Sequence, residues 1–289
     1  MYAVVFFTCS DNDVGRVDRA SLPQQALMEL FIFGLNEPEE ICGSRDNPDD
    51  VCEWQGVKCN GDREVEDFHW GFKWDNGTGT LGLEFLPPSM KVVAMYQNAL
   101  YGTFQLADLP KKMEVVCLFE NQLTGSLDLD SLPAVVRSLQ LSKNEFTGDI
   151  SLENLPKCLK ELELAENQLS GTICLTSLPP ALQVIHLKKN NFEGSLDFTR
   201  LPASMKVINL SENRFSGTID LGNLPESMVN FDVRNNALSR TVRMPKELFF
   251  LVSRGTNPPR VRGKQGPHRG KYVSRDIHEY QNMNSAHKK

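Results

Sequence analysis

The sequence predicts an α/β solenoid, in which one repeated unit coils around a shared core and lines one side with a parallel sheet. Three residue types recur at an interval of 23 residues along most of the chain. Leu-Pro begins at Leu86, Leu109, Leu132, Leu155, Leu178, Leu201 and Leu224. Asn recurs at Asn98, Asn121, Asn144, Asn167, Asn190, Asn213 and Asn236. Gly follows four residues after each Asn, except at Arg240.

The unit at residues 155–177 shows what each position is expected to do. Leu162 and Leu164 alternate, which predicts a short strand with both side chains on its inner face. Asn167 closes the strand, where its amide can hydrogen-bond backbone groups of its own loop and of the next one. Gly171 permits a positive φ or a close backbone approach. The seven Asn residues are therefore expected to form a structural ladder.

The rest of the unit predicts an outer side without long helices. Ile173 and Leu175 alternate again, which indicates a second short strand or extended segment. Pro179 fixes φ and lacks a backbone donor, so the convex side is expected to be extended or to form 3₁₀ turns. The inner slots hold Met, Val, Leu, Ile or Phe in every copy. Such slots are buried only when neighbouring coils stack.

The consensus L-x-x-L-x-L-x-x-N, with a period of about 20–29 residues, is the signature of leucine-rich repeats. It implies a right-handed coil with a parallel concave sheet. We place this solenoid at 60–253, as a degenerate first coil, seven repeats and a partial eighth. In the first coil, Trp70, Phe72 and Asp75 are aligned 23 residues before the corresponding slots of the next repeat.

The residues before the repeats predict a helical N-terminal cap at 20–59. Residues 22–35 are amphipathic, with Ser21 as the capping residue and Pro23 in the first turn. The motif Cys52-Glu-Trp-Gln-Gly-Val-Lys-Cys59 follows, and it resembles the N-terminal cap of plant-type extracellular leucine-rich-repeat proteins. The resemblance implies a disulfide between Cys52 and Cys59, with the tryptophan packed over the first coil.

The repeats carry two further resemblances. The Gly-Thr-Ile run at Gly217, repeated with variation in other coils, is similar to the plant-type class. The regular Leu-Pro resembles leucine-rich repeats of protists, kinetoplastids included. The resemblance covers about residues 20–252 and implies a secreted or cell-surface setting.

Charge is distributed unevenly along the 289 residues. Residues 254–289 carry nine Lys or Arg and two Asp or Glu, a net charge of +7, so the rest carries −13 of the total of −6. This basic stretch is expected to be a disordered tail, and residues 1–19 a disordered end or the remnant of a leader. No run of 18 apolar residues is present in the sequence, so no membrane span is expected.

Two other features of the sequence leave alternatives open. Cys9 and Cys42 could form a second disulfide. Asn76 and Asn209 begin Asn-x-Ser/Thr sequons, although three-residue matches are common by chance.

The strand register provides a test for catalytic groups. The outward residue of each L-x-L forms one row across the sheet, which includes Cys117, Glu163, His186, Asn209 and Asp232. Strand spacing puts Cys117 and His186 on the order of 14 Å apart, too far for a nucleophile and its base. Glu163 and His186 are expected to form a surface pair that stabilises the imidazolium, with too few further ligands for a metal. No catalytic residue, metal or cofactor is expected.

The concave face is the better functional candidate. Val92, Tyr96, Val115 and Phe119 form an expected apolar and aromatic patch, and Arg137, Glu163 and His186 supply charge beyond it. Aromatic anchors with polar surroundings are typical of protein interfaces. The main hypothesis is therefore a non-enzymatic module that binds a protein or peptide, extracellular or at the cell surface. The alternative is a cytoplasmic scaffold whose tail at 254–289 binds RNA or another acidic surface; nucleic acid is expected only there.

Overall fold

The chain builds two parallel sheets from the same succession of coils. A computed structural model describes residues 21–73 and 77–242, all within the first of two units into which the chain divides. The nine-stranded sheet contains β1 (Val57–Cys59), β2 (Val65–His69), β3 (Val92–Ala94), β5 (Val115–Cys117), β7 (Ser138–Gln140), β9 (Glu161–Glu163), β11 (Val184–His186), β13 (Val207–Asn209) and β15 (Asn230–Asp232). Its strands pair in this order, with β1 antiparallel to β2 and the rest parallel.

The seven-stranded sheet follows one turn later in each coil. It contains β4 (Tyr101–Gly102), β6 (Gln122–Gly125), β8 (Glu145–Asp149), β10 (Gln168–Thr172), β12 (Asn191–Ser195), β14 (Arg214–Asp220) and β16 (Ala237–Val242). The convex side has short 3₁₀ turns at Leu83–Phe85, Leu106–Asp108 and Leu129–Ser131, and turns without helix elsewhere in the described repeats. The predicted leucine-rich-repeat solenoid is therefore confirmed.

The core lies between the two sheets. In the unit at 155–177, Leu159, Leu162 and Leu164 are fully buried, as are the same slots of the neighbouring coils. Beyond each Asn, a second buried layer contains Phe146, Leu169 and their equivalents. Large apolar side chains contribute about 1.5–3 kcal/mol each when buried, but only the stacked coils bury them.

The second strand lies earlier in the unit than predicted. Strand β10 runs from Gln168 to Thr172, whereas the alternation of Ile173 and Leu175 predicted a strand just after it. Gly171 has φ 81°, a value that favours glycine, and lies inside the strand. The alternation instead reports two side chains buried where the chain leaves the strand.

The first coil is longer than the 23-residue alignment predicted. Phe68, not Trp70, lies opposite Val93 in the sheet. Gly79 nevertheless bridges to Leu100 with the same 21-residue offset that joins Gly102 to Leu123. The two extra residues therefore lie between β2 and Gly79, and the predicted Asp75 falls outside the described residues.

The N-terminal segment contains two short helices, the first of which packs against the first coil. Helix α1 (Gln24–Ile32) follows Pro23, which is its N-cap in place of the predicted Ser21. Phe31 of α1 packs edge-on against Phe68, with the ring centroids 5.6 Å apart. A short helix α2 (Glu39–Cys42), which the sequence did not predict, follows. No helix in the described ranges is long and apolar enough to cross a membrane.

The predicted disulfide between Cys52 and Cys59 is confirmed. It ties β1 to the 3₁₀ turn at Val51–Glu53, next to the buried Trp54, whose indole N–H donates to the Asp49 carbonyl. Cys42 is a buried free thiol, and its proposed partner Cys9 lies outside the described residues, as do Asn76 and the tail at 254–289.

The Asn side chains join each coil to the coil before it. Asn167 Nδ2 donates to the carbonyls of Leu164 and Ala165 in its own turn and of Leu141 in the preceding coil. Its Oδ1 accepts from the backbone N–H of Phe146. From the sequence we had predicted that the bonds outside its own turn would reach the following coil, whereas they reach the preceding one. Asn144, Asn190, Asn213 and Asn236 repeat the arrangement.

The repeat does not end where its glycine is lost. Strand β16 continues to Val242 beside β14, and the pairing shifts by one residue between Gly217 and Thr218, where Arg240 enters the register. The departure from the pattern is therefore accommodated by a bulge.

Replacing Asn167 by Ala is expected to lower the free energy of unfolding by about 2–4 kcal/mol. The substitution leaves a buried N–H and buried carbonyls without partners, at a cost of about 1–3 kcal/mol for each unsatisfied group. Urea unfolding followed by circular dichroism measures the change.

Asn154 provides the matched control, because its side chain is exposed and bonds only to Asp130. Asn154→Ala should change the free energy of unfolding by less than about 0.5 kcal/mol. Equal effects of the two substitutions would contradict the role assigned to Asn167.

Candidate functional site

The nine-stranded face consists of the outward side chains of the nine-stranded sheet, the residue before each strand and the turn that follows it. Register places Val92 beside Val115 on β3 and β5, and both are half-buried. Tyr96 and Phe119 follow two residues after the same strands. The four predicted patch residues therefore lie together, whereas Arg137, Glu163 and His186 belong to later coils.

Three aromatic rings form a stack at the N-terminal end of this face. Tyr96 and Phe119 are nearly parallel, at an angle of 7° with centroids 4.8 Å apart. Phe72 meets Tyr96 edge-on at 5.0 Å. We call these three residues the aromatic stack. Such pairs add about 0.5–1.5 kcal/mol beyond area burial, so the rings hold one another in place.

Phe72 is the member that the sequence alignment missed. It occupies the slot of Gln97 because of the two extra residues in the first coil, and its side chain is 48% exposed. Gly71 leaves room for the stack, since a Cβ there would come within 2.9 Å of the Tyr96 ring. Burial raises the pKa of Tyr96, so its hydroxyl stays protonated at neutral pH.

Ion pairs line both edges of the face. Arg137 is exposed and pairs with Glu114 at 2.9 Å, so it belongs to an edge. The other pairs are Lys58–Asp67, Lys91–Glu66, Lys143–Glu120, Lys188–Glu212, Lys189–Glu166 and Arg234–Asp232. Exposed pairs of this kind add little stability, but each leaves its carboxylate partnered.

The centre of the face holds a small polar network. Glu161 accepts hydrogen bonds from the Ser138 hydroxyl at 3.0 Å and from the Gln140 amide at 3.4 Å. Gln140 in turn accepts from the thiol of Cys117 at 3.2 Å. Burial, and then the charge of Glu163, raises the pKa of Cys117 to about 12, which keeps the thiol protonated and unreactive.

Glu163 stands beside this network without joining it. No hydrogen bond or ion pair reaches its carboxylate from the described residues. Burial, and then the charge of Glu161, raises its pKa from 4.5 to about 7. Ionised Glu163 is therefore an unsatisfied charge in the middle of the face.

His186 does not form the predicted pair with Glu163. The two residues are opposite one another on β11 and β9, but His186 Nε2 bonds to Asn209 Nδ2 at 3.2 Å. Burial, and then Lys188, lowers the pKa of His186, so the imidazole is neutral near pH 7. The expectation of a stabilised imidazolium was wrong, because burial outweighs the neighbouring carboxylates.

Asn209, which begins one of the two sequons, has its side-chain amide engaged in this hydrogen bond and in two more. Its Oδ1 accepts from the backbone and hydroxyl of Ser211, so the amide is held on both sides.

Chemistry on this face is limited by spacing. Register separates Cys117 from His186 by three strands, as predicted. In the ranges that the structure describes, no three His, Cys, Asp or Glu side chains are grouped to hold a metal ion. Among its described residues, the face offers an aromatic surface, ion pairs at its edges and, at its centre, the unpaired carboxylate of Glu163, a set suited to recognition.

Replacing Glu163 by Gln is expected to raise the free energy of unfolding near pH 8 by about 1–3 kcal/mol. A carboxyl whose pKa rises from 4.5 to about 7 on folding lowers stability as pH rises through that interval. The difference from the unsubstituted chain should vanish below about pH 4.5, where both side chains are neutral.

Urea unfolding at several pH values checks this, with Glu212→Gln as the control. Glu212 pairs with Lys188 at 3.4 Å, so its neutralisation should change stability by less than about 1 kcal/mol and should not stabilise. A Glu163→Gln chain that is no more stable at pH 8 would contradict the assignment.

Comparisons with known proteins agree with the fold. The chain is similar to the leucine-rich-repeat ectodomain of the plant membrane receptor kinase GASSHO1/SCHENGEN3 from Arabidopsis thaliana, solved in complex with CASPARIAN STRIP INTEGRITY FACTOR 2. The two share 28% identity over 75% of this chain and 27% of that chain, with a TM-score of 0.60. The match thus spans about a quarter of the ectodomain, and it shows the fold of leucine-rich-repeat ectodomains.

Two more distant structures are the BIR2 ectodomain from Arabidopsis thaliana and a plant ice-binding protein. The first has 24% identity, covers 58% of this chain and 92% of that chain, and has a TM-score of 0.48. The second has 20% identity, covers 78% of this chain and 89% of that chain, and has a TM-score of 0.46. No family model and no curated protein matches the sequence.

Proposed function

We propose that this chain is a leucine-rich-repeat module that binds a protein or peptide on its nine-stranded face. The observation that carries the proposal is the aromatic stack. Phe72, Tyr96 and Phe119 lie on an open sheet face, and Phe72 is 48% exposed. Large rings fixed by one another lose little freedom on binding and are typical interface anchors.

The surroundings of the stack support the same function. Val92 and Val115 extend its apolar surface along the strands. Paired charges such as Glu114 with Arg137 form a polar rim, where they add selectivity more than affinity. Glu163 and His186 lie toward the C-terminal side of the same face and are assigned here as ligand contacts.

The structural comparison adds an independent argument. An ectodomain of the same fold, with 28% identity over the matched region, was solved with a bound partner. Because the match covers 27% of that chain, its partner is not transferred to this protein. We infer only that the ligand is a protein or peptide.

The disulfide supports an extracellular or cell-surface setting. Cys52 and Cys59 bridge β1 to the turn before it, and such bonds persist in oxidising compartments. We interpret residues 20–59 as the plant-type N-terminal cap on the same ground. The alternative, a cytoplasmic scaffold, is favoured by the net charge of +7 on residues 254–289, which would attract RNA or another acidic surface.

The double substitution Tyr96→Ala with Phe119→Ala is expected to weaken ligand binding by at least about 30-fold, because anchor residues contribute about 2 kcal/mol or more. Phage-displayed random peptides, selected on the chain with its disulfide intact, provide the ligands. Affinities are then measured by calorimetry for both forms of the chain.

Tyr101→Ala is the matched control. Tyr101 is an aromatic residue, 50% exposed, but it lies on β4 of the other sheet. It should leave affinity unchanged. Selected peptides that bind the double variant as tightly as the original chain would show that the ligand uses another surface.

Alkylation of free thiols in protein from its native source, read by mass spectrometry before and after reduction, tests the setting. Cys52 and Cys59 should be modified only after reduction if the chain resides in an oxidising compartment. Exposed Cys158 serves as the internal control, since it should react in both samples. Cys52 and Cys59 that react without reduction would instead favour the cytoplasmic scaffold.

A further inference from the structure

Glu163 differs from the other carboxylates on the parallel strands of the nine-stranded face and at their edges. Within the described residues, each of those others has a cation or a hydrogen-bond donor as partner. Glu163 has neither, although it lies at the centre of the sheet on β9. An unpaired, largely buried carboxylate is costly, and a cation from outside would remove the cost.

The outer ring of the aromatic stack, Phe119, has no described aromatic or cationic partner on the side of the next coil. The Tyr96 and Phe119 centroids are 4.8 Å apart, which matches the spacing of adjacent strands, so the rings stand side by side along the solenoid. Phe72 approaches Tyr96 from the preceding coil. The outer face of Phe119 is thus turned to the next coil, and no described ring or cation stacks on it.

Small residues continue the row beyond Phe119. Register aligns Cys117, Gln140 and Glu163, so the residues two positions later, Phe119, Ser142 and Ala165, form a row as well. The Ser142 hydroxyl accepts from the backbone N–H of Ala165, which fixes it at the surface. Phe119 is therefore followed along the row by two small side chains, the half-buried Ser142 and the buried Ala165, and we call the space beside its outer ring face the slot.

Glu163 lies on β9, one strand beyond the coil that carries Ser142. Its charge also contributes to the raised pKa of Cys117, on the Phe119 side of the face. With strands about 4.8 Å apart and residues about 3.3 Å apart along a strand, Glu163 lies about 10 Å across the strands and about 7 Å along them from Phe119, a gap that only a long side chain lying over Ser142 can bridge.

We propose that this slot binds an arginine side chain of the ligand, with its guanidinium stacked on Phe119 and hydrogen-bonded to the carboxylate of Glu163. The inference rests on the proposed function and specifies the ligand: a peptide or protein segment that presents an arginine. A guanidinium is planar, always charged and weakly hydrated, so it can stack on a ring and pair with a carboxylate at once. A lysine ammonium lacks the planar face.

The probe is the blocked peptide acetyl-Gly-Gly-Arg-Gly-Gly-amide, titrated into the full chain and followed by nuclear magnetic resonance. Lysine and citrulline versions of the peptide are compared with it. Arginine should bind about two- to fivefold more tightly than lysine, and citrulline, which keeps the planar shape without charge, should bind more weakly still. Binding of the arginine peptide should also weaken as pH falls below about 7, where Glu163 takes up a proton.

Matched variants locate the contact. Glu163→Gln should remove the preference for arginine over citrulline. Phe119→Leu should remove the preference for arginine over lysine. Glu212→Gln, which neutralises a paired carboxylate of the same face, and Tyr101→Leu, which removes an exposed ring of the other sheet, should preserve both preferences. An equal loss in Glu212→Gln would reduce the effect to general charge attraction and overturn the proposal.

The remaining outcomes also decide the question. No chemical-shift change with the arginine peptide at millimolar concentration, or equal binding of citrulline, overturns the arginine slot. If phage-selected peptides still lose affinity for the Tyr96→Ala, Phe119→Ala chain while tolerating arginine-to-citrulline replacement, the proposed function holds and this inference fails. If no selected peptide uses the nine-stranded face, the proposed function itself fails.

Discussion

The fold depends on one side-chain amide per coil. Each coil must reverse direction after a strand of only three residues, and the reversal leaves buried backbone groups that no ladder can pair. Asn167 supplies both the donor and the acceptor, and it links its own turn to the preceding coil. The residue before each Asn adopts a left-handed conformation, as in Glu166 with φ 54° and Lys189 with φ 56°. Such a backbone costs on the order of 1 kcal/mol in a residue other than glycine, and the Asn hydrogen bonds offset it.

This constraint explains why the repeat is so regular inside and so variable outside. Because each Asn must reach the coil before it, the interval cannot change without breaking hydrogen bonds, and register follows from the interval. Leu162, Ile185 and Ile208 consequently lie directly opposite one another. The outward residues between them are not constrained in this way, because they do not pack in the core. A valine, a serine or a glutamate can occupy one row, as at Val115, Ser138 and Glu161, and recognition is therefore free to change from coil to coil.

Much of this was predictable from the interval alone, and the failures have physical causes. The inner slots and the proximity of Tyr96 to Phe119 follow from counting, and the resemblance of the Cys52–Cys59 motif added the disulfide. The length of the first coil was not predicted, because its two extra residues lie after the strand, where length is not tied to the core. The left-handed turns were visible only as an unbroken polar position before each Asn. The neutral state of His186 could not be predicted, since burial decides it and the sequence shows only the neighbouring charges.

Departures from the repeat, more than the repeat itself, create the candidate site. The longer first coil brings Phe72 to the slot of Gln97 and so extends a pair of rings into the aromatic stack. One coil later the row changes from Phe119 to Ser142, which ends the stack and exposes its last face. The carboxylates of the described ion pairs on this face are matched with a cation from an adjacent strand or from their own turn, whereas Glu163 has no such cation in the part of the chain that the structure describes. A solenoid that pairs its charges by stacking similar units leaves a charge unpaired where the sequence departs from that pattern, and here the departure lies two strands beyond the last ring of the aromatic stack.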